Sequence, residues 1–384
     1  MKRMLTGLLA LCLLWQGIPT AFAAGKEAKS SGVAVSAKSV ILVERETGTV
    51  LYQQAEHEKL EPASVTKVMT MLLVAEAIDG GQISMDDQVT CSAYAASMGG
   101  SQVYLEEGEQ MSVHDLLKAV AVASGNDAAV ALAEFVSGSE SAFVDKMNQR
   151  AAELGMKDTH FCNCNGLPAK GHVTSAYDIA LMSCQLLKHD LIREYTGTWM
   201  DTIRDGEFQL ANTNKLIRFY EGATGLKTGS TDAALYCVSA TAEKDGMELI
   251  AVVLGSPTSA DRFETAKALL NYGFAGYSLV TVAPSEPISP IPVTLGTADS
   301  VQPVLTQESQ ILLPKAEAGK VSTTLSLPDT LQAPVEKGQE LGSLTVLVDG
   351  KENQKLPLVA QEEVPRLTLW AVYQSLLGTL FCGT

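Results

Sequence analysis

The sequence predicts an α+β chain: an antiparallel sheet covered by helices, with a helical block set into it, followed by a small all-β domain. Three observations predict it. Strand-like segments open the folded part of the chain and return after residue 225, with helices between them, the order expected when helices pack on an antiparallel sheet. One helix is apolar on nearly every side and therefore belongs in the centre of a domain. Near Tyr277 the texture changes to short alternating strands rich in Pro, Val and Thr, which reads as a separate β-rich unit.

The elements follow in order. Lys2 and Arg3 precede an apolar run from Met4 to Ile18, and Ala21-Phe22-Ala23 offers a small-x-small cleavage site, so 1–23 is expected to be an export signal rather than structure. A retained anchor is the alternative, but the run is short for a span. Residues 24–36 are small and polar, a flexible leader. Ser39–Glu44 and Thr49–Gln53 are strand-like around an Arg45-Glu46-Thr47-Gly48 turn. Pro62 is expected to open a helix to Ile78, closed by Asp79-Gly80-Gly81; Val65, Val68, Met69, Leu72, Leu73 and Val74 leave it no polar face.

The helical block comes next. Ser112 caps a helix through Leu116–Val122, Gly125 interrupts, and Asp127–Val136, Ser141–Leu154 and Thr174–Leu187 follow. Leu235–Ala242 and Met247–Leu254 return to strands around a Lys244-Asp245-Gly246 turn, with a helix at Arg262–Leu270. In the last part, Ser343–Val348 and Leu356–Val359 flank an Asp349-Gly350 turn. The expected organisation is a signal peptide at 1–23, a leader at 24–36, a catalytic domain at 37–276, a β-rich domain at 277–364 and an amphipathic helix at 365–384. On that last helix Leu369, Trp370, Tyr373, Leu376, Leu377, Leu380 and Phe381 share one face, which suits a membrane surface. Only Arg366 supplies a basic neighbour, and packing on its own domain is the alternative.

Charge narrows the partners. The chain carries a formal −16, and losing residues 1–23 removes Lys2 and Arg3 to leave −18. Such a protein is repelled by phosphate backbones, so nucleic acid is not an expected partner. An anion would need cations placed locally. Of seven cysteines, Cys12 leaves with the signal; Cys91, Cys162, Cys164, Cys184, Cys237 and Cys382 are spread thinly. They look less like a disulfide framework than like small buried apolar residues, with pairing left open.

Three motifs carry chemistry. Ser64-Val65-Thr66-Lys67 is an S-x-x-K at a helix start, where positions i and i+3 share a face and the hydroxyl meets the amine. The helix N-terminus favours an oxyanion there. Serine is a poor nucleophile until a base takes its proton, and Lys67 is that base only if burial or a nearby cation depresses its pKa. Ser124-Gly125-Asn126 lies in the break between helices, where Ser124 can relay a proton and Asn126 can hold a substrate amide; the same residues are also the default choice for a plain turn. Lys227-Thr228-Gly229, followed by Ser230, lies on a strand. It offers a cation, a hydroxyl, a glycine that lets substrate approach the backbone, and the Ser230 amide as an oxyanion donor. Each motif alone occurs by chance.

Together and in this order they form the motif set of penicillin-binding proteins and class A β-lactamases. The flanking Glu61-Pro62-Ala63, Ala123 to Ala128, Gly225 to Ala234, and Phe161-x-Asn163-x-x-Gly166-Leu167 near His172 resemble the low-molecular-mass serine-type D-alanyl-D-alanine carboxypeptidases, over about residues 35–381. The resemblance implies a penicillin-binding, transpeptidase-like first domain. It also implies a catalytic Ser64, Lys67 and Ser124, and a substrate held by Asn126, Lys227, Thr228, Gly229 and Ser230. The amides of Ser64 and Ser230 would form the oxyanion hole, and neither cofactor nor metal is needed. The implied partners are stem peptides of peptidoglycan ending in D-Ala-D-Ala, β-lactams as inhibitors, and a membrane surface through the terminal helix. The implied place is extracytoplasmic, on the outer face of the cytoplasmic membrane. Relatives often carry a larger residue at position 230, which leaves substrate preference at that rim open. A β-lactamase using the same motifs is the first rival, although no glutamate stands in a recognisable deacylating context. A non-catalytic wall-peptide binder is the second. His160, Cys162 and Cys164 form an H-x-C-x-C that matches no common zinc spacing, and no G-x-S-x-G elbow is present.

Overall fold

The computed structural model describes residues 32–305, 309–370 and 373; the expected signal peptide and most of the expected terminal helix lie outside them. A five-stranded antiparallel sheet forms the frame, in the order Val50–Gln54, Ser39–Glu44, Met247–Ser256, Leu235–Lys244, Ala223–Thr231. The last of these carries Lys227, Thr228 and Gly229 and is an edge.

Both faces of this sheet are covered, so its central strands are buried along their whole length. Alternation divides their side chains between two cores. Ile41, Val43, Ile250, Val252 and Leu254 join the large core with the helices Lys67–Asp79 and Ala176–Leu186. Val40, Leu42, Leu249, Ala251 and Val253 join a second core under the helix Ser259–Gly276. The helix Lys67–Asp79 is buried on nearly all sides, as its composition requires.

Local capping follows the sequence. Ser112, Ser139, Ser175 and Thr258 each accept from a backbone amide three residues on, starting four of the helices. Two segments differ from expectation, and both lie at the site. Pro62 does not open an α-helix: a 3₁₀ turn, Ala63–Thr66, precedes it, with Ala63 at φ 48°. The expected helix through Val122 is α only to Lys118, then a π turn over Ala119–Ala123 that ends in Ser124 at φ 63°. Turns of this kind mark places where tertiary contact overrides local preference.

Beyond the helix Ser259–Gly276 the chain passes directly into the strand Tyr277–Val282 and is β-structured, apart from the short helix Lys315–Ala318. Its largest sheet runs Pro303–Leu305, Lys351–Ala360, Glu340–Val348, Val321–Ser326. Separate apolar clusters centred on Val346 and Leu358, and on Ile291 and Val364, hold it together. Among the described residues no helix is long and apolar enough to cross a membrane.

Candidate active site

The 3₁₀ turn packs against the edge strand and holds Ser64 half-buried. Two glycines make the turn's position possible. A Cβ on Gly229 would sit 2.8 Å from both the Pro62 carbonyl oxygen and the Ser64 nitrogen. A Cβ on Gly166, which has φ +85°, would fall 1.9 Å from the Ala63 carbonyl oxygen. The glycine at 229 therefore admits the backbone of the nucleophile turn itself, a close approach that the sequence reading of this residue did not anticipate.

Lys67 is the best-defined member of the site. It is wholly buried, and its Nζ lies 3.0 Å from Ser64 Oγ, 2.5 Å from Asn126 Oδ1 and 2.6 Å from the Asn165 carbonyl oxygen. Burial pushes its pKa from 10.5 down to about 7, because desolvation disfavours the ammonium. The Cys164 thiol is itself pushed well up by burial and so is uncharged near neutrality. The opposing pull on Lys67 is therefore that of the Asp127 carboxylate.

Ser124 is 3% exposed, and its hydroxyl has no hydrogen-bond partner among the described residues. Asn126 donates from Nδ2 to the Gly99 carbonyl at 2.6 Å while its Oδ1 accepts from Lys67, which leaves one N–H and one lone pair for a ligand. Asp127 secures the rim beside it: its carboxylate accepts from the amides of Val103 and Leu105 and from that of Ala128.

On the edge strand, Lys227 is 1% exposed and donates to the Thr228 carbonyl at 3.0 Å. Burial, and then the charges of Lys67 and Arg262, hold its pKa well below the ordinary lysine value. An anion placed beside Lys227 would favour its ammonium form. The Thr228 hydroxyl lies 2.7 Å from that of Thr213, and Ser230 is exposed.

Several contributors were not assigned roles from sequence. The Phe161-to-Leu167 stretch was visible as a family match, and its job is now apparent: Asn163 Oδ1 accepts from the Gly166 amide, and Asn165 supplies the carbonyl that holds Lys67. His172 receives the Cys162 amide on Nδ1 at 3.0 Å, so its proton sits on Nε2, which donates at 2.8 Å to Thr66 Oγ1. Burial drops its pKa to about 4. The H-x-C-x-C residues serve this loop through their backbones: His160 bridges to Val173, and the Cys164 carbonyl accepts from Thr70. All five described cysteines are free.

The arrangement sets the Ser64 hydroxyl against a buried amine, with an unpartnered hydroxyl at Ser124 and a second buried lysine on the edge strand. The sequence pattern of D-alanyl-D-alanine carboxypeptidases matches residues 24–258, and that of the C-terminal domain of penicillin-binding protein 5 matches residues 278–366. The chain is 44% identical to the D-alanyl-D-alanine carboxypeptidase DacF of Bacillus subtilis (strain 168) over 371 residues, 95% of each chain. It is similar to the crystal structure of penicillin binding protein 5 from Haemophilus influenzae, with 31% identity, a TM-score of 0.76, and coverage of 89% of this chain and 100% of that one. It is also similar to penicillin-binding protein D2 from Listeria monocytogenes in its ampicillin-bound form, with 33% identity, a TM-score of 0.58, and coverage of 62% and 98%.

Proposed function

The chain belongs to the D-alanyl-D-alanine carboxypeptidase family; it is a penicillin-binding serine peptidase of the cell wall, and from that premise we propose the roles of its residues. Ser64 Oγ attacks the carbonyl of the penultimate D-alanine as Lys67 Nζ takes its proton. The amides of Ser64 and Ser230 receive the oxyanion. Ser124 passes a proton to the nitrogen of the leaving D-alanine, and the acyl–Ser64 ester is then cleaved by water. Lys227 and Thr228 hold the terminal carboxylate. For Thr228 to donate to it, the Thr213 hydroxyl must turn to donate in its place.

The observation that carries this reading is the buried Lys67 amine at 3.0 Å from Ser64 Oγ with a pKa near 7. A module that only bound wall peptides would gain nothing from a desolvated base beside a hydroxyl. The test is D-alanine release from a synthetic peptide ending in D-Ala-D-Ala, together with a stoichiometric penicillin adduct, both lost in Ser64→Ala. No release by the wild-type protein would overturn the reading. Rapid turnover of the penicillin would instead favour the β-lactamase.

We further propose that 1–23 is an export signal, that 37–276 and 277–364 are separate domains, and that 365–384 rests on the outer face of the cytoplasmic membrane. Leu369, Trp370 and Tyr373 are 92%, 65% and 52% exposed, in keeping with an apolar face meant for lipid. Flotation with anionic vesicles, with and without 365–384, tests this last point; equal flotation of both would refute it.

A further inference from the structure

Arg262, near the start of the helix Ser259–Gly276, is a buried cation outside the proposed mechanism. It is 6% exposed, and no carboxylate pairs with it among the described residues. Arg150, Arg193 and Arg204, by contrast, each pair with a glutamate. Keeping a guanidinium dry without a counter-ion is costly, and its hydrogen bonds must offset that cost.

Those contacts converge on the edge strand. Arg262 Nη1 donates to two carbonyls, Gly229 and Cys237, at 3.1 Å each; these two residues face one another in the ladder. Nη2 donates to Ser259 Oγ at 3.1 Å, and the guanidinium lies over the rings of Phe263 and Tyr236, 4.5 and 5.5 Å from their centroids. It sits beside the irregularity between Tyr236 and Val238, where the register of Leu235–Lys244 against Met247–Ser256 shifts.

The Gly229 carbonyl shares a peptide plane with the Ser230 amide. In a trans peptide the C=O and N–H point in opposite directions, so fixing the first on the helix side aims the second toward the outer edge. Ser64 packs against this strand: a Cβ on Gly229 would meet the amides of Ser64 and Val65. We propose that Arg262 is a positioning residue for the oxyanion hole, clamping the Gly229–Ser230 peptide from behind so that the Ser230 N–H faces the acyl carbonyl on Ser64. A cation on the carbonyl end also polarises that peptide and strengthens its N–H as a donor. Arginine suits the task because its planar fork spans several acceptors at once, and burial lowers its pKa only to about 10, which leaves it charged at neutral pH.

The inference rests on Ser64 being the acylated residue, and the experiment separates the two. Arg262→Met and Arg262→Lys are made in the full chain, and the ester carbonyl stretch of the penicillin-acylated enzyme is read by infrared difference spectroscopy beside kcat and KM for D-alanine release. Loss of a donor felt mainly in the transition state lowers kcat with little change in KM. Arg262→Met is expected to lose about 100-fold in kcat, the lower end of the range for removing an oxyanion donor, with KM within about threefold. Its ester band should move to higher frequency as hydrogen bonding to the carbonyl weakens. Arg262→Lys should fall between wild type and Arg262→Met on both readouts, and it carries the test if Arg262→Met does not fold. A loss confined to KM, or an ester band unchanged in the folded variants, would overturn the proposal. A wild-type enzyme that formed no acyl adduct would instead overturn the Ser64 reading.

Discussion

The most exacting consequence of this site concerns the proton on Lys67. Moving a lysine from 10.5 to about 7 corresponds to about 5 kcal/mol of preference against the ammonium, and the side chain is wholly buried, so solvent does not screen it away. At pH 7 about half of the molecules then hold a neutral amine, against roughly 1 in 3,000 for an ordinary lysine. Acylation by a fluorescent penicillin, followed by rapid mixing at subsaturating drug, should rise about tenfold from pH 5 to pH 6 and level off above about pH 7.5, as for a base titrating near 7. His172, at about 4, is already neutral throughout that window and adds no inflection of its own. Lys67→Arg should lose about 10³-fold in acylation rate and its pH dependence with it, because a guanidinium does not give up its proton. A flat wild-type profile between pH 5 and 9, or an inflection above pH 9, would refute the reasoning: the first would mean Lys67 is not the base, the second that burial does not depress it.

Two other perturbations are equally direct. Gly229→Ala would drive a methyl against the Pro62 carbonyl and the Ser64 amide, both backbone atoms with no room to yield. Penicillin acylation should fall by at least about 100-fold, and an Ala variant acylating at near wild-type rate would mean that the turn and strand are not in contact. For His172, the folded-state pKa lies at about 4, below the ordinary 6.5, so the unfolded chain binds more protons between those values. Its contribution to stability is complete above pH 6.5 and lost as pH falls toward 4, a change of about 3 kcal/mol. Urea unfolding of wild type and His172→Gln at pH 7 and pH 4.5 should show a smaller acid loss in the variant, and equal losses would contradict the assignment.

Much of the frame was legible in the sequence because it depends on local periodicity. Alternation at Val40 to Val43 and Leu249 to Leu254 divides the central strands between two cores, and the serines at 112 and 175 cap where their position says they should. The departures fall where the chain is shaped by something distant. The turn at Ala63 is fixed by Gly229 and Gly166, each more than a hundred residues away. The π turn before Ser124 leads into a rim held by the Asp127 carboxylate on the amides of Val103 and Leu105. No window of sequence contains both sides of either contact. A cluster of apolar residues around Lys67 suggests a buried lysine, but its two short contacts come from Asn126 and Asn165 on separate segments.

The same limit applies to charge, and here the structure changes the physical picture. A chain of net charge −16 was expected to need locally placed cations to hold an anion. It has them, but they are not charged independently. Lys67, Lys227 and Arg262 are all buried and all lowered by burial, and Lys227 lowered further by the other two. Burial therefore works against a full complement of protons in the resting site. On the proposed substrate placement, the terminal carboxylate would favour the ammonium form of Lys227, and a charged Lys227 would favour the neutral form of Lys67 because like charges repel. Carboxylate binding and activation of the nucleophile would in this way be coupled through two lysines. A peptide whose terminal carboxylate is amidated should consequently lose acylation rate beyond what its weaker binding explains. Saturating kinetics with the amidated peptide would expose that loss in kcat; a loss confined to KM would show the lysines to act separately.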